Sequence, residues 1–192
     1  MSSWLSIGLG ARQYDIPEEE LEELRMTSTL EPEEICRLKK AFAVYTNGSD
    51  KMTKDMFMDI PCVRINPLRE RVATVFGYAA PSTTLDFLTF LVGVALFNSH
   101  GKREDKLKLA FRLQDFDDDG IITKPDLILY LETVTGQPTT TVPGWDGPAI
   151  VDVVDQVFGE IASDDKRAEI TILDFMRCMQ STDFHTKLQM LF

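Results

Sequence analysis

One stretch of twelve residues limits the possible folds of this chain more than any other feature. Residues 115–126 read Asp-Phe-Asp-Asp-Asp-Gly-Ile-Ile-Thr-Lys-Pro-Asp. Acids at the first, third, fifth and twelfth positions and a glycine at the sixth suit a loop that wraps a divalent cation, which takes about six to eight oxygen ligands. Apolar residues at helical spacing flank the stretch, so we predict a helix–loop–helix unit around it.

This spacing is typical of an EF-hand loop. The acids of its first half point inward as the chain wraps the ion, and Gly120 permits the sharp turn at position six. The alternative is a solvated acidic loop without an ion, but aspartates this close repel one another unless a cation neutralises them. The predicted ligands are Asp115, Asp117, Asp119, the backbone carbonyl of Ile121, Thr123 through a water molecule, and Asp126.

The last ligand position bears on the choice of metal. An EF-hand usually has glutamate there, which reaches the ion with both oxygens, whereas Asp126 is one methylene shorter. We expect one Ca²⁺ site in this loop, with Asp126 binding through a single oxygen and Mg²⁺ as an effective competitor.

The helix–loop–helix pattern recurs four times, which predicts an all-α fold of four EF-hand units in two lobes with short paired loop strands. Each unit has an apolar residue followed by Ser, Thr or Asp between its two helices. These pairs are Met52-Thr53, Leu85-Asp86, Ile122-Thr123 and Ile170-Thr171. The predicted helices are Glu31–Val44, Pro67–Phe76 with Asn66 as N-cap, Asp86–Asn98, Glu104–Gln114, Pro125–Thr135, Gly147–Ile161 and Ile172–Gln180.

We expect four segments along the chain: an acidic N-terminal extension (1–30), an N-terminal EF-hand pair with degenerate loops (31–100), a C-terminal pair with one intact loop (101–180) and a C-terminal tail (181–192). The fourth loop has Arg167 at a ligand position and Ala168 in place of the turn glycine. The first two loops also lack the ligand set. We therefore interpret these three units as structural hands.

The charge is concentrated in two places. The chain has a net charge of −11, and residues 15–34 carry nine acids and one base. We interpret this extension as a solvated, partly helical segment, the alternative being an arm that meets basic residues of a target. The acidity argues against nucleic acid as a partner. Ser2 follows Met1, where N-myristoylation requires glycine, so we expect no lipid anchor of this kind.

Catalysis is not expected. Neither His100 nor His185 stands beside a nucleophile or at a metal-ligand spacing. The cysteines Cys36, Cys62 and Cys178 are too few and too scattered for a disulfide framework, and we expect reduced thiols in a cytoplasmic protein. A calcium buffer would need more than one site, so a regulatory or scaffolding role is the better interpretation.

Two further stretches resemble one group of EF-hand proteins. They are the Asn-Pro-Leu-x-x-Arg element beginning at Asn66 and the Lys-Leu-x-x-Ala-Phe-Arg element of residues 106–112. Over residues 30–192 the chain resembles the group that comprises calcineurin B, the calcineurin-homologous proteins and the calcium- and integrin-binding proteins. It is most similar to calcineurin B.

The resemblance implies a calcium-binding regulatory subunit or adaptor that receives an amphipathic target helix in an apolar groove. The target would be a phosphatase catalytic subunit or the tail of a membrane protein. An adaptor of the calcium- and integrin-binding type and a metal-independent scaffold remain alternatives. We expect residues 184–192 to dock in the groove when no target is bound. The candidate groove residues are Phe87, Phe90, Leu91, Val94, Leu127, Tyr130 and Leu131.

Overall fold

The computed structural model describes residues 16–80, 83–97, 103–136, 149–161 and 169–179. The chain divides into two compact units, with the boundary between Lys102 and Arg103. The described residues form helices joined by short loops, and each unit contains one two-stranded antiparallel sheet. The predicted all-α class with short paired strands is therefore confirmed.

The first unit holds two helix–loop–helix hands joined through their loops. Strand β1 (Met52–Thr53) pairs with β2 (Thr84–Leu85), with Met52 opposite Leu85. These are the apolar positions that the repeat predicted, and both side chains are buried. The helices of this unit are α1 (Glu18–Ser28), α2 (Pro32–Tyr45), α3 (Lys54–Met58), α4 (Pro61–Arg64), α5 (Arg69–Phe76) and α6 (Phe87–Phe97).

Aromatic rings fill the core of the first unit. The Phe90 ring lies between Phe42 and Phe76, with ring centroids 5.5 and 6.1 Å away. Phe57 contacts Phe76 and Tyr78, at 4.7 and 5.3 Å. The Tyr78 hydroxyl donates to the backbone carbonyls of β1, so this ring also joins the second loop to the first strand. Tilted and edge-on contacts of this kind add to the stabilisation from burial.

The acidic segment near the N-terminus forms helix α1, which packs against α2 and α6. Leu24 and Ser28 face the protein and are buried, whereas all five acids of the helix are exposed. The acids of its first turn favour the helix because they interact with the partial positive charge of the N-terminus. The expected solvated character therefore holds for one face of the segment only.

The start of α5 differs from the prediction. The helix begins at Arg69 rather than Pro67, and its N-cap is Leu68 rather than Asn66. The side chain of Asn66 instead accepts a hydrogen bond from the backbone N–H of Leu68 at 2.8 Å, which forms a turn around Pro67. Asparagine before proline favours such a turn, and the pattern of apolar residues alone does not distinguish it from a helix cap.

The second unit repeats the same arrangement. Strand β3 (Ile121–Thr123) pairs with β4 (Glu169–Thr171), with Ile122 opposite Ile170, the apolar residues of the third and fourth repeats. Its core is mostly aliphatic, around an edge-on contact of Phe111 with Phe175 at 5.7 Å. The described helices of this unit are α7 (Arg103–Gln114), α8 (Lys124–Thr135), α9 (Ile150–Ile161) and α10 (Ile172–Met179).

The three cysteines form no disulfide with one another. Cys36 is buried, whereas Cys62 in α4 and Cys178 in α10 are partly exposed. None of the helices in the described part of the chain is long and apolar enough to cross a lipid bilayer.

Candidate metal centre

The third loop begins where α7 ends. The N–H of Asp115 donates to the carbonyl of Phe111 at 3.0 Å, so the first acid of the loop still continues the helical hydrogen-bonding pattern. The chain then turns at Asp118 and Gly120, which have φ angles of 58° and 87°. Glycine adopts this left-handed conformation without strain, which is why the sixth position requires it. The turn brings the N–H of Gly120 back to the carboxylate of Asp115 at the start of the loop.

Backbone N–H groups orient the acids of the loop. The N–H of Gly120 donates to Asp115 Oδ2 at 3.0 Å, and the N–H of Ile121 donates to Asp119 Oδ1 at 2.8 Å. Asp117 accepts a similar bond from the N–H of Asp119 at 3.3 Å. These bonds hold the three carboxylates in fixed directions, so they need little reordering to bind an ion.

The structure brings Asp115, Asp117 and Asp119 together. Each offers a carboxylate oxygen, and these oxygens all lie within 4.8 Å of one another. Two oxygens that bind the same Ca²⁺ at about 2.3–2.6 Å from its centre are at most about 5 Å apart, so the spacing fits a shared ion. In the parts of the chain that the structure describes, this is the one group of three acids or other metal-binding side chains with such a spacing.

Burial also makes the site receptive to a cation. Burial raises the pKa of Asp115, and the negative charges of Asp118 and Asp119 raise it further, against the opposing effect of the hydrogen bond from Gly120. A raised carboxyl pKa means that the ionised form is disfavoured where it stands. A divalent ion would remove that penalty, because it supplies the opposite charge beside the buried oxygens.

The loop contains one base, Lys124, and this base faces a different helix. Its Nζ lies 2.5 Å from Asp155 Oδ1 and 5.8 Å from the centre of the Phe158 ring, both in α9. The side chain that could have neutralised the loop acids is therefore engaged by the neighbouring hand.

The last two predicted ligands stand at the start of α8. Thr123 is the N-cap of this helix, and its hydroxyl donates to Asp126 Oδ2 while accepting from the backbone N–H of Asp126. The N–H of Phe116 donates to Asp126 Oδ1 at 3.2 Å, so this carboxylate also contacts the beginning of the loop. The prediction of metal ligands did not include this capping box, although Thr-x-x-Asp before an apolar run has the spacing of one.

The other loops differ from the third. In the first loop, the hydroxyl of Thr46 donates to the carbonyl of Ser49, and the left-handed turn falls on Asn47 and Gly48. Lys51 of this loop lies 3.5 Å from Asp86 at the start of α6, where an ammonium group faces the acid. Of the fourth loop, Ser163, Asp165, Arg167 and Ala168 lie outside the described residues.

Most of the predicted groove residues lie in the core instead. Phe87, Phe90, Leu91 and Val94 are buried in the first unit, and Leu127 is buried in the second. Apolar side chains at helical spacing occur in cores and grooves alike, and the sequence does not separate the two. Tyr130 and Leu131 of α8 remain partly exposed against the core of the second unit, as do Met176 and Met179 of α10. The predicted docking segment, residues 184–192, lies outside the described residues.

Comparison with known proteins finds several relatives of the same kind. No protein-family model matches the chain. It is 36% identical to calcineurin B of Candida glabrata over 121 residues, which are 62% of this chain and 69% of that protein. It is 27% identical to calcineurin B of Naegleria gruberi over 181 residues, 94% and 98% of the two chains. The type 1 calcineurin B of Dictyostelium discoideum is 31% identical over 129 residues, 67% and 71% of the two chains.

These relatives are all calcineurin B subunits. Their family agrees with the EF-hand fold that the repeat, the loop spacing and the paired strands support. The similarity to the Naegleria protein runs through both units and therefore includes all four hands. The chain belongs to the calcineurin B family of EF-hand proteins, which are regulatory proteins rather than enzymes.

Proposed function

We propose that this protein is a calcium-responsive regulatory subunit that binds an amphipathic helix of a target protein. The observation that carries the proposal is the group of three carboxylates in the third loop, oriented by backbone N–H groups and spaced for one ion. The ion would be held by Asp115, Asp117 and Asp119, with the Ile121 carbonyl, a water on Thr123 and one oxygen of Asp126 completing the shell.

Calcium would offset part of the negative charge of the loop and stabilise the second unit. The loop carries five acids and one base, and the base is paired with Asp155. An ion that binds only the folded state adds about 2.7 kcal/mol to the free energy of unfolding at a hundred times its dissociation constant. The expected size is therefore large enough to be measured as a rise in the thermal stability of the chain.

The target site that the structure supports best is the partly exposed apolar surface of the second unit. Tyr130 and Leu131 of α8, and Met176 and Met179 of α10, pack against one core and are partly exposed. Methionine and aromatic side chains adapt well to a helix laid across them. Because the relatives are named as subunits of calcineurin, a helix of a phosphatase catalytic subunit is the proposed target, acting in the cytoplasm.

A metal-independent scaffold is the second candidate, and the first unit favours it. In that unit, β1 and β2 pair and the core closes around aromatic rings although its described residues contain no group of three metal-binding side chains. A pair of hands in this protein can therefore form without a ligand set.

Calorimetric titration of the full chain with Ca²⁺ tests the metal site. We expect one site in the wild type and at least a hundredfold weaker binding in the double variant Asp115→Asn/Asp117→Asn. The charge-matched control is Asp105→Asn/Asp152→Asn, which removes two acids of α7 and α9 outside the loop and should keep wild-type affinity. Absence of calcium binding by the wild type, or equal loss in both double variants, would contradict the proposed site.

Affinity capture from native extract, with calcium or with a chelator, tests the target surface. Leu131→Glu should reduce capture of a phosphatase catalytic subunit at least tenfold. Its control is Leu129→Glu on the same helix, which places the same charge at a side chain that is already exposed. Equal capture with calcium and with chelator, in the wild type and in the Asp115→Asn/Asp117→Asn variant, would support the scaffold instead.

A further inference from the structure

The carboxylate of Asp126 is nearly fully engaged by groups of its own chain. Oδ2 accepts from the backbone N–H of Thr123 at 2.9 Å and from the Thr123 hydroxyl, and Oδ1 accepts from the N–H of Phe116 at 3.2 Å. The residue is 5% exposed. An ionised carboxylate oxygen has about two lone-pair sites, so both sites of Oδ2 are in use and one site of Oδ1 is left.

This count limits what Asp126 can offer an ion. Ligation through both oxygens would require Oδ2 to give up a hydrogen bond from Thr123, and a buried donor left without an acceptor costs free energy. Ligation through Oδ1 alone requires no such loss. The limit follows from the hydrogen bonds and is therefore independent of the length of the side chain.

The fourth hand provides an internal comparison. At the start of α10, Thr171 donates its hydroxyl to Asp174 Oδ2 at 2.6 Å and its N–H to the same oxygen at 3.3 Å. The N–H of Asp174 donates back to the Thr171 hydroxyl oxygen at 3.3 Å. The hydrogen bond from the Thr171 hydroxyl also lowers the pKa of Asp174, as expected for a carboxylate held in its ionised form.

The same Thr-x-x-Asp capping box therefore forms at the start of α10, although the loop before this helix lacks the ligand pattern. The fourth loop has Arg167 and Ala168 where the third has Asp119 and Gly120. A Thr-x-x-Asp box that forms in both hands is a property of the helix start, because it satisfies N–H groups that the first turn of any helix leaves without partners.

We infer that Asp126 is a positioning residue that fastens the beginning of the third loop to the first turn of α8, and that it gives a bound metal one oxygen at most. This inference rests on the proposed metal site and assigns a separate role to its last residue. Asp115, Asp117 and Asp119 then determine most of the affinity, while Asp126 and Thr123 stabilise the second unit whether or not metal is bound.

Thermal unfolding with excess chelator separates the two roles. Asp126→Asn and Thr123→Ala should each lower Tm by about 3 °C, the shift expected when a helix cap is lost from a chain of this size. Thr171→Ala is the matched control, because it breaks the same box in the fourth hand and should lower Tm by a similar amount. Thr123→Ala keeps every carboxylate, so it tests the box even if Asp126→Asn fails to fold.

Calorimetry on the same proteins supplies the second measurement. The calcium dissociation constant should rise less than about tenfold in Asp126→Asn, at least a hundredfold in Asp117→Asn and not at all in Thr171→Ala. An unchanged Tm in chelator for both Asp126→Asn and Thr123→Ala would overturn the inference. So would a loss of affinity in Asp126→Asn as large as that in Asp117→Asn. Failure of the wild type to bind calcium would refute the metal site. The thermal unfolding measurements in chelator would still test whether Asp126 and Thr123 stabilise the second unit.

Discussion

The two units of this protein contain the same pair of hands built by different means. Both join their loops through an antiparallel pair of strands with buried apolar residues opposite each other, Met52 with Leu85 and Ile122 with Ile170. The first unit closes around a network of aromatic rings, whereas the second has a mostly aliphatic core with several apolar side chains left partly exposed. The third loop alone, within the described residues, gathers three acids at metal-binding distance.

This difference separates what a hand needs in order to fold from what it needs in order to bind an ion. Strand pairing, core packing and helix caps occur in both units, so they are the common requirement. The group of three acids is an addition that, among the described residues, only the third loop has. We therefore expect core substitutions in the first unit to act independently of calcium, and the experiments below test that separation.

The largest effect is expected at Phe90, which is almost fully buried between Phe42 and Phe76. Phe90→Ala should lower the free energy of unfolding by about 3–5 kcal/mol through lost burial and a residual cavity, measured by urea denaturation. The control is Leu88→Ala, two positions earlier on the same helix and half exposed, which should cost less than about 1 kcal/mol. If saturating calcium restored the free energy of unfolding that Phe90→Ala removes, the two units would not be independent as proposed.

Two helical glycines give the second comparison. A Cβ at Gly93 of α6 would lie 2.4 Å from ring carbons of Phe76, whereas a Cβ at Gly159 of α9 would meet nothing within 4 Å. Alanine in place of glycine usually favours a helix by about 1 kcal/mol. Gly159→Ala should therefore raise the free energy of unfolding by up to that amount.

Gly93→Ala should instead lower the free energy of unfolding by about 1–3 kcal/mol, because the aromatic core has no room for the methyl group. Both changes are measured in the same urea titration. Stabilisation by both substitutions would show that the first unit is packed less tightly than its aromatic contacts indicate.

The smallest effect is expected at Tyr78, whose hydroxyl donates to the carbonyls of Met52 and Thr53 at 3.1 and 3.2 Å. Tyr78→Phe keeps the ring and removes the hydrogen bonds, so it should cost about 1 kcal/mol. Amide hydrogen exchange of β1 and β2 should speed up accordingly, while β3 and β4 serve as the internal reference. Unchanged exchange in β1 would mean that strand pairing alone holds the loops of the first unit.

The sequence predicted the four strand positions because each has an apolar residue between two amphipathic helices. Such a residue is buried when the two loops of a pair of hands meet. It did not predict the turn at Asn66 or the short helix α4, since both depend on local hydrogen bonds around proline. Nor did it separate groove from core: Phe90 was a groove candidate and lies at the centre of the first unit. Helical periodicity identifies an apolar face but does not show what covers it.

At the candidate metal centre, residue type and spacing were enough to predict that Asp115, Asp117 and Asp119 lie together. The roles of Thr123 and Asp126 were harder to predict, because the same two side chains suit both a ligand shell and a helix cap. Only the hydrogen bonds show that the cap is formed. The pairing of Lys124 with Asp155 likewise could not be predicted from the sequence, since it joins helices from two different hands.

That pairing has a consequence for signalling. Lys124 follows directly on the cap of α8 and contacts α9, while β3 is bonded to β4, so the third loop is attached to the fourth hand at two points. A displacement of the third loop would therefore also displace β4 and α9 of the fourth hand. If the proposed ion binds there, its effect would therefore extend to the fourth hand, whose own loop has Arg167 and Ala168 where the third has Asp119 and Gly120.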